Sequence, residues 1–197
     1  MVGMAGLEME RLCEQFEAPV PSPAGGSAAA AVAAIAASLV VMVGRGSPDW
    51  SEGADAAGAA GVLRDRLLVL GGEDVEAVAA VLTASRAASR STVGDRPTDL
   101  DRALLRASQV PLEIAERAAD VAVLAARAAQ EGKRPMRADA AAATILAVAA
   151  TQVASSIVSR NLTALPPGHP HAEIPQLLEA ARLAAERASA FGQGVRG

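Results

Sequence analysis

Tyrosine is absent from this 197-residue chain, and its aromatic residues stop at Phe16, Phe191 and Trp50. That scarcity leaves no stacking platform for nucleic-acid bases and no bulky filling for a β-sandwich core. A basic surplus is missing as well, since 18 Lys and Arg stand against 22 Asp and Glu for a net charge of -4, with Lys133 the sole lysine. Such a balance cannot neutralise a run of phosphates, so no nucleic-acid partner is expected. Cys13 is the only cysteine, which excludes an intramolecular disulfide. Its neighbours Leu12 and Phe16 mark it as a buried apolar filler in a reducing, cytoplasmic setting. Histidine is limited to His169 and His171, with Pro170 between them and no Cys or acidic cluster at ligand spacing. No metal site follows from that arrangement, and a Ser-His-Asp triad is poorly supported. Neither a Gly-x-Ser-x-Gly elbow, a P-loop nor a dinucleotide fingerprint occurs, so no cofactor is expected.

What the chain has in abundance is alanine, 49 of 197 residues, within a hydrophobic content of 51%. One compact all-α domain over 1–197, an antiparallel helix bundle with close helix–helix approach, fits that composition. Two long uncharged stretches, 27–43 and 140–158, are expected to be its central buried helices. The first is near the length of a membrane span, but alanine contributes little transfer energy and no basic region of a signal peptide flanks it. A helix buried in a soluble bundle accounts for it without a membrane.

Helical spacing of apolar residues gives the outline. A short amphipathic helix carries Leu7, Cys13 and Phe16 and stops at Pro19 and Pro21. The uncharged helix from Ser27 to Val43 ends at Gly44, Gly46 and Pro48. Ser51 caps a third helix that Gly71-Gly72 kinks or breaks, and another runs from Glu73 to about Arg90. After a polar loop at 91–98, Asp99 caps a helix to about Ala129 that Pro111 should bend. Asp139 opens a helix to Leu162, and Ile174–Phe191 is the last, before a Gly-rich tail at 192–197.

Pro21-Ser22-Pro23-Ala24-Gly25-Gly26-Ser27 is the stretch where function is expected. Its backbone donors point at the positive end of a buried helix, with Ser27 as N-cap, which suits an anion or a polarised ligand atom. Asp139 and Asp74 are the candidate carboxylates: each stands in the first turn of an expected helix, where it can cap, complement the dipole, or act as acid or base. Lys133 reads as a solvated loop residue or a carboxylate contact, as do Arg45 and Arg102. Asn161 reads as a helix C-cap.

The Gly-Gly-Ser turn with its Ala-rich helix and Met42-Val43 ending resembles the signature of the formimino-tetrahydrofolate cyclodeaminase and methenyl-tetrahydrofolate cyclohydrolase family. Further blocks follow in that family's order: Leu68-Val69-Leu70 leading to Asp74, Arg102 to Ala107 before Val110-Pro111-Leu112, and Asp139 opening a helix that ends at Asn161-Leu162. Together they span about residues 7 to 165. The resemblance implies chemistry at the one-carbon unit bridging N5 and N10 of tetrahydrofolate, with Asp139 and Asp74 as catalytic acid and base. It implies Pro23, Gly25, Gly26, Ser27, Lys133 and Asn161 as substrate-binding residues, no cofactor, and a homodimer with its cleft near the subunit boundary. Four positions depart from the family's pattern. Ala24 replaces the first glycine of a Gly-Gly-Gly-Ser turn, Lys133 replaces an Asn, Ala138 replaces a Ser, and Ile157 falls where Asn is common. A binding or oligomerisation subunit that keeps the fold without turnover is the alternative these departures raise.

Overall fold

The computed structural model describes residues 9–19, 23–89, 98–163 and 174–194. Six α-helices account for nearly all of them: α1 (Met9–Glu17), α2 (Gly25–Gly46), α3 (Gly53–Ala88), α4 (Thr98–Glu131), α5 (Arg137–Thr163) and α6 (Ile174–Gly194). A single 3-10 turn, Arg134–Met136, leads directly into α5. Among the described residues there is no strand.

Small residues set the packing. Ala30, Ala33, Ala36 and Ala37 of α2 and Ala143, Ala147 and Ala154 of α5 are buried with no bulk beyond a methyl group, which lets neighbouring backbones approach closely. At the α2–α3 turn a side chain on Gly44 would run into the carbonyl of Gly53, so glycine is required there. Two pairs of contacts fix the direction of α5. Gly46 at the end of α2 lies against Met136 just before α5, and Gly25 at the start of α2 lies against Ile157 near its end. The two helices are therefore antiparallel.

The helix at the centre is α4. Ile114, Ala115, Ala118, Ala119, Val121, Ala122 and Ala125 are all fully buried along it, and it packs on α2, α3, α5 and α6. Helices α2 and α5, which contain the two uncharged stretches, pack together as expected but are not enclosed. Ile35 and Met42 of α2 and Ile145 and Val153 of α5 are 41–46% exposed, forming an apolar stripe along one side of the bundle. Gly25–Gly46 and Arg134–Thr163 are each long and apolar enough to cross a membrane, but in the bundle 61% and 44% of their apolar windows are buried against protein.

Several sequence expectations need correction. Gly71-Gly72 does not break the chain into two helices: α3 runs unbroken from Gly53 to Ala88. Ser27 is not an N-cap: α2 begins two residues earlier, at Gly25, with Ala24 in the cap position and making no side-chain cap bond. Nor does Ser51 cap α3, where the N-cap is Glu52, again without a side-chain bond. Asp99 lies in the first turn of α4, which starts at Thr98, and pairs with Arg102. Cys13 is exposed, since α1 turns Leu12 and Phe16 rather than its thiol toward the bundle. The loop at 91–97, the histidines at 169 and 171 and the tail at 195–197 lie outside the described residues.

Candidate functional site

Pro23, Gly25, Gly26, Ser27 and Asp74 come together where α2 begins and α3 passes beside it. Asp74 is a carboxylate with only 5% of its surface exposed. One oxygen, Oδ2, accepts from both the Ser27 backbone N–H and the Ser27 hydroxyl, at 2.9 Å each. That hydroxyl also lies 3.0 Å from the Gly71 carbonyl. The first backbone donors of a helix have no partner within it, and here a side chain from another helix supplies one. Asp74 thus caps α2 from α3, the task the sequence assigns to Ser27 itself.

Gly26 is the residue that allows it. A Cβ there would sit 2.6 Å from Asp74 Cγ and 2.7 Å from Oδ2, closer than atoms approach without displacement. At Gly25 a Cβ would touch Ile157 Cδ1 at 3.3 Å, so the isoleucine closes one side of the turn. The remaining oxygen, Oδ1, lies against Gly26 and has no donor among the described residues. Burial pushes the Asp74 pKa above the ordinary aspartate value, and the two bonds from Ser27 oppose that shift without cancelling it. The result is a largely buried carboxylate with raised proton affinity and one oxygen that no described residue engages.

Asp139 and Lys133 lie elsewhere. Both are exposed at the opposite end of α2, and from Asp139 to the level of Ile157 is about 27 Å along α5. Asp139 does not cap α5, which starts at Arg137, and its carboxylate has no partner among the described residues. Lys133 donates its backbone N–H to Ser47 Oγ at 2.8 Å, while Arg137 reaches the Gly132 carbonyl at 2.9 Å. A cavity of about 230 Å³ opens here between Trp50, Glu131, Lys133, Arg134 and Arg137. Within one chain, then, the two candidate carboxylates do not share a cleft.

Asn161 does not end its helix; α5 continues to Thr163. Its amide instead donates to the Ala107 carbonyl of α4 at 2.6 Å. Ala107 precedes Pro111 by four residues, and proline has no N–H to offer that carbonyl. The asparagine side chain replaces the bond the proline removes. Arg102 is exposed and paired with Asp99 at 3.0 Å.

Sequence reasoning missed the clasp beside Asp74. Arg66 forms a two-pronged bond to Glu113 at 2.8 and 2.7 Å and a third to Glu73 at 2.7 Å, and Arg106 adds one to Glu73 at 2.7 Å. These ties join α3 to α4 one residue from Asp74. The separation of Arg66 from Glu73 by seven positions, two helical turns, was the available signal once α3 is read as continuous. Among the described residues no group of three or more His, Cys, Asp and Glu could hold a metal ion.

Comparison with known proteins bears on what this arrangement belongs to. A search of curated protein sequences finds no match. The fold superposes on the crystal structure of formiminotetrahydrofolate cyclodeaminase from Thermotoga maritima with a TM-score of 0.76 at 22% identity, covering 99% of this chain and 100% of that one. The family model described as formiminotransferase-cyclodeaminase matches residues 8–174, a span that takes in the Gly25–Ser27 turn, Asp74, Asp139 and Asn161 alike. By that match the chain belongs to the formiminotransferase-cyclodeaminase family.

Proposed function

We propose that the protein is a cytoplasmic enzyme of one-carbon folate chemistry, acting at the unit that bridges N5 and N10 of tetrahydrofolate as a cyclodeaminase or a cyclohydrolase. The observation that carries this reading, beside family membership, is Asp74: a buried carboxylate at the start of α2, raised in proton affinity, with one oxygen that no described residue engages. Both reactions pass through a tetrahedral carbon and need one proton acceptor and one proton donor. In the deaminase direction N10 attacks the formimino carbon and loses its proton to a base, while an acid protonates the departing ammonia. In the hydrolase direction a base-assisted water adds to the methenyl carbon. Asp74 takes one of these roles and Asp139 the other, and neither reaction requires a metal or redox cofactor.

For Asp139 to meet Asp74, two chains are needed. The apolar stripe of Ile35, Met42, Ile145 and Val153 suits a homodimer, and its charged neighbours, Arg45, Asp139 and Arg160, stand only toward its ends. A two-fold axis lying in that face and crossing α2 and α5 reverses their direction from one subunit to the other. The partner's Asp139 and Lys133 then come to the end of the bundle where Gly25, Gly26, Ser27 and Asp74 lie.

Loss of methenyl-tetrahydrofolate absorbance, in a buffer of low intrinsic hydrolysis, tests the reading, with ammonia release from the formimino substrate measured in parallel. Turnover that Asp139→Asn abolishes while folate affinity persists supports it. Affinity without turnover on either substrate points to the alternative, a folate-binding subunit that has lost catalysis. Absence of any folate-induced thermal shift would sink both.

A further inference from the structure

A second feature of the Asp74 end is not used by the acid/base chemistry. Between α1, α2 and α3 lies a cavity of about 250 Å³, walled by Leu12 and Phe16 of α1, Ser27 and Ala31 of α2, and Leu68 and Gly72 of α3. Ser27 belongs both to this wall and to the Asp74 cap.

Three features mark the walls of this space. First, α1 is sparsely anchored. Leu12 and Phe16 are its only described residues that are even half-buried, and both look onto the cavity rather than into the alanine core. Second, Gly71 and Gly72 sit in the interior of a continuous helix, where glycine is disfavoured against alanine, and packing does not demand them. A Cβ on Gly72 would meet nothing within 4 Å, and one on Gly71 would make only ordinary contacts with Ala30 and Ser27. Gly58 and Gly61 of the same helix are equally unconstrained but do not line this cavity. Third, Leu68 is 58% exposed at the rim, an apolar side chain left largely uncovered by the described residues.

We propose that this cavity is the subsite for the flat bicyclic ring of the reduced pterin, with Phe16 lying against the ring and α1 as its cover. The inference rests on the folate reading above and specifies which part of the ligand goes where. The lining fits such a ring: aliphatic walls and one aromatic face for the ring planes, and Gln15, with both donor and acceptor on its amide, for the polar ring edge. The volume is below that of a pocket for a whole drug-sized ligand, so it suits the ring and leaves the aminobenzoyl-glutamate portion outside. The one-carbon unit is attached to the ring at N5, so a ring seated with N5 toward Ser27 sets the reacting carbon beside the partner of Asp74.

The test is calorimetric binding of 5-formyltetrahydrofolate, a stable probe, to the full chain and to three variants, with thermal midpoints recorded for each. Gly72→Leu should keep or raise the midpoint, since leucine favours the helix, and weaken binding at least tenfold by filling the mouth. Phe16→Ala should weaken binding with little change in midpoint. Gly61→Leu, on the same helix away from the cavity, should leave affinity unchanged. Wild-type affinity in both Gly72→Leu and Phe16→Ala overturns the ring subsite while leaving the folate reading intact. No binding by the wild-type chain overturns both.

Discussion

A single oxygen of Asp74 accepts two hydrogen bonds from Ser27, 47 residues earlier, one from its backbone and one from its hydroxyl. The same carboxylate therefore closes the start of α2, and its second oxygen lies against Gly26 with no donor among the described residues. Under the proposed function a structural and a chemical role meet in this one side chain, and substitutions should separate them.

Asp74→Asn keeps a carbonyl oxygen able to accept both Ser27 donors and removes a charge that burial penalises. Its stability should stay within about 1 kcal/mol of wild type, while turnover falls to the level of the uncatalysed reaction. Asp74→Ala leaves the Ser27 donors unpaired and should cost about 2–3 kcal/mol. Denaturant titration beside the absorbance assay separates the two. The pH dependence has a definite sign. The folded pKa of Asp74 lies above its unfolded value, so between the two the native state holds more protons and its stability falls as pH rises. Relative to Asp74→Asn, wild-type stability should gain as the pH is lowered through that window, and a difference that grows in the opposite direction would refute the assignment.

Gly26→Ala tests the close approach. The new methyl group cannot coexist with the Asp74 carboxylate in its present position, so the cap must open. A loss of about 1–3 kcal/mol is expected from overpacking, with folate affinity reduced at the same time. Gly25→Ala meets only the end of the Ile157 side chain and should be milder on both readouts.

Asn161 should behave as a structural residue of the bundle. Asn161→Ala strands the Ala107 carbonyl beside Pro111 and should cost about 1–3 kcal/mol, while Asn161→Asp, which sets acceptor against acceptor, should cost at least as much. Combining Asn161→Ala with Pro111→Ala restores a backbone donor to that carbonyl and should recover part of the loss. A double variant no better than Asn161→Ala alone would separate the asparagine from the proline.

The fold was legible because alanine-rich helical periodicity leaves few alternatives, and the order of the helices follows from their Gly and Pro stops. Where the reading of the sequence failed, tertiary contacts decided. Gly71-Gly72 looks like a break to any local rule, yet the clasp of Arg66, Glu73, Glu113 and Arg106 and the packing on α2 carry α3 through it. Ser27 has the local chemistry of an N-cap, but its hydroxyl is spent on a residue from another helix, which no local pattern reveals. Asp74 and Gly26 were both named from the sequence; that one exists to make room for the other was not visible without the α2–α3 approach. Asp139 and Asp74 could be paired by resemblance but not by distance along the chain, and the antiparallel packing of α2 on α5 sets them at opposite ends.

That separation yields the most decisive prediction. If each reaction centre combines Asp74 of one subunit with the partner's Asp139, then Asp74→Asn and Asp139→Asn are each inactive as homodimers. Unfolded together and refolded as an equal mixture, they form heterodimers in which one centre carries both substitutions and the other carries neither. Random pairing makes half the dimers mixed, with one of two centres intact, so the mixture should recover about a quarter of wild-type activity. Ile35→Arg combined with Val153→Arg, placed on the apolar stripe, should give folded monomers without activity, seen by sedimentation and circular dichroism. Full activity in such a monomer would show that the centre is complete within one chain, and no recovery on mixing would refute a centre shared between Asp74 and the partner's Asp139.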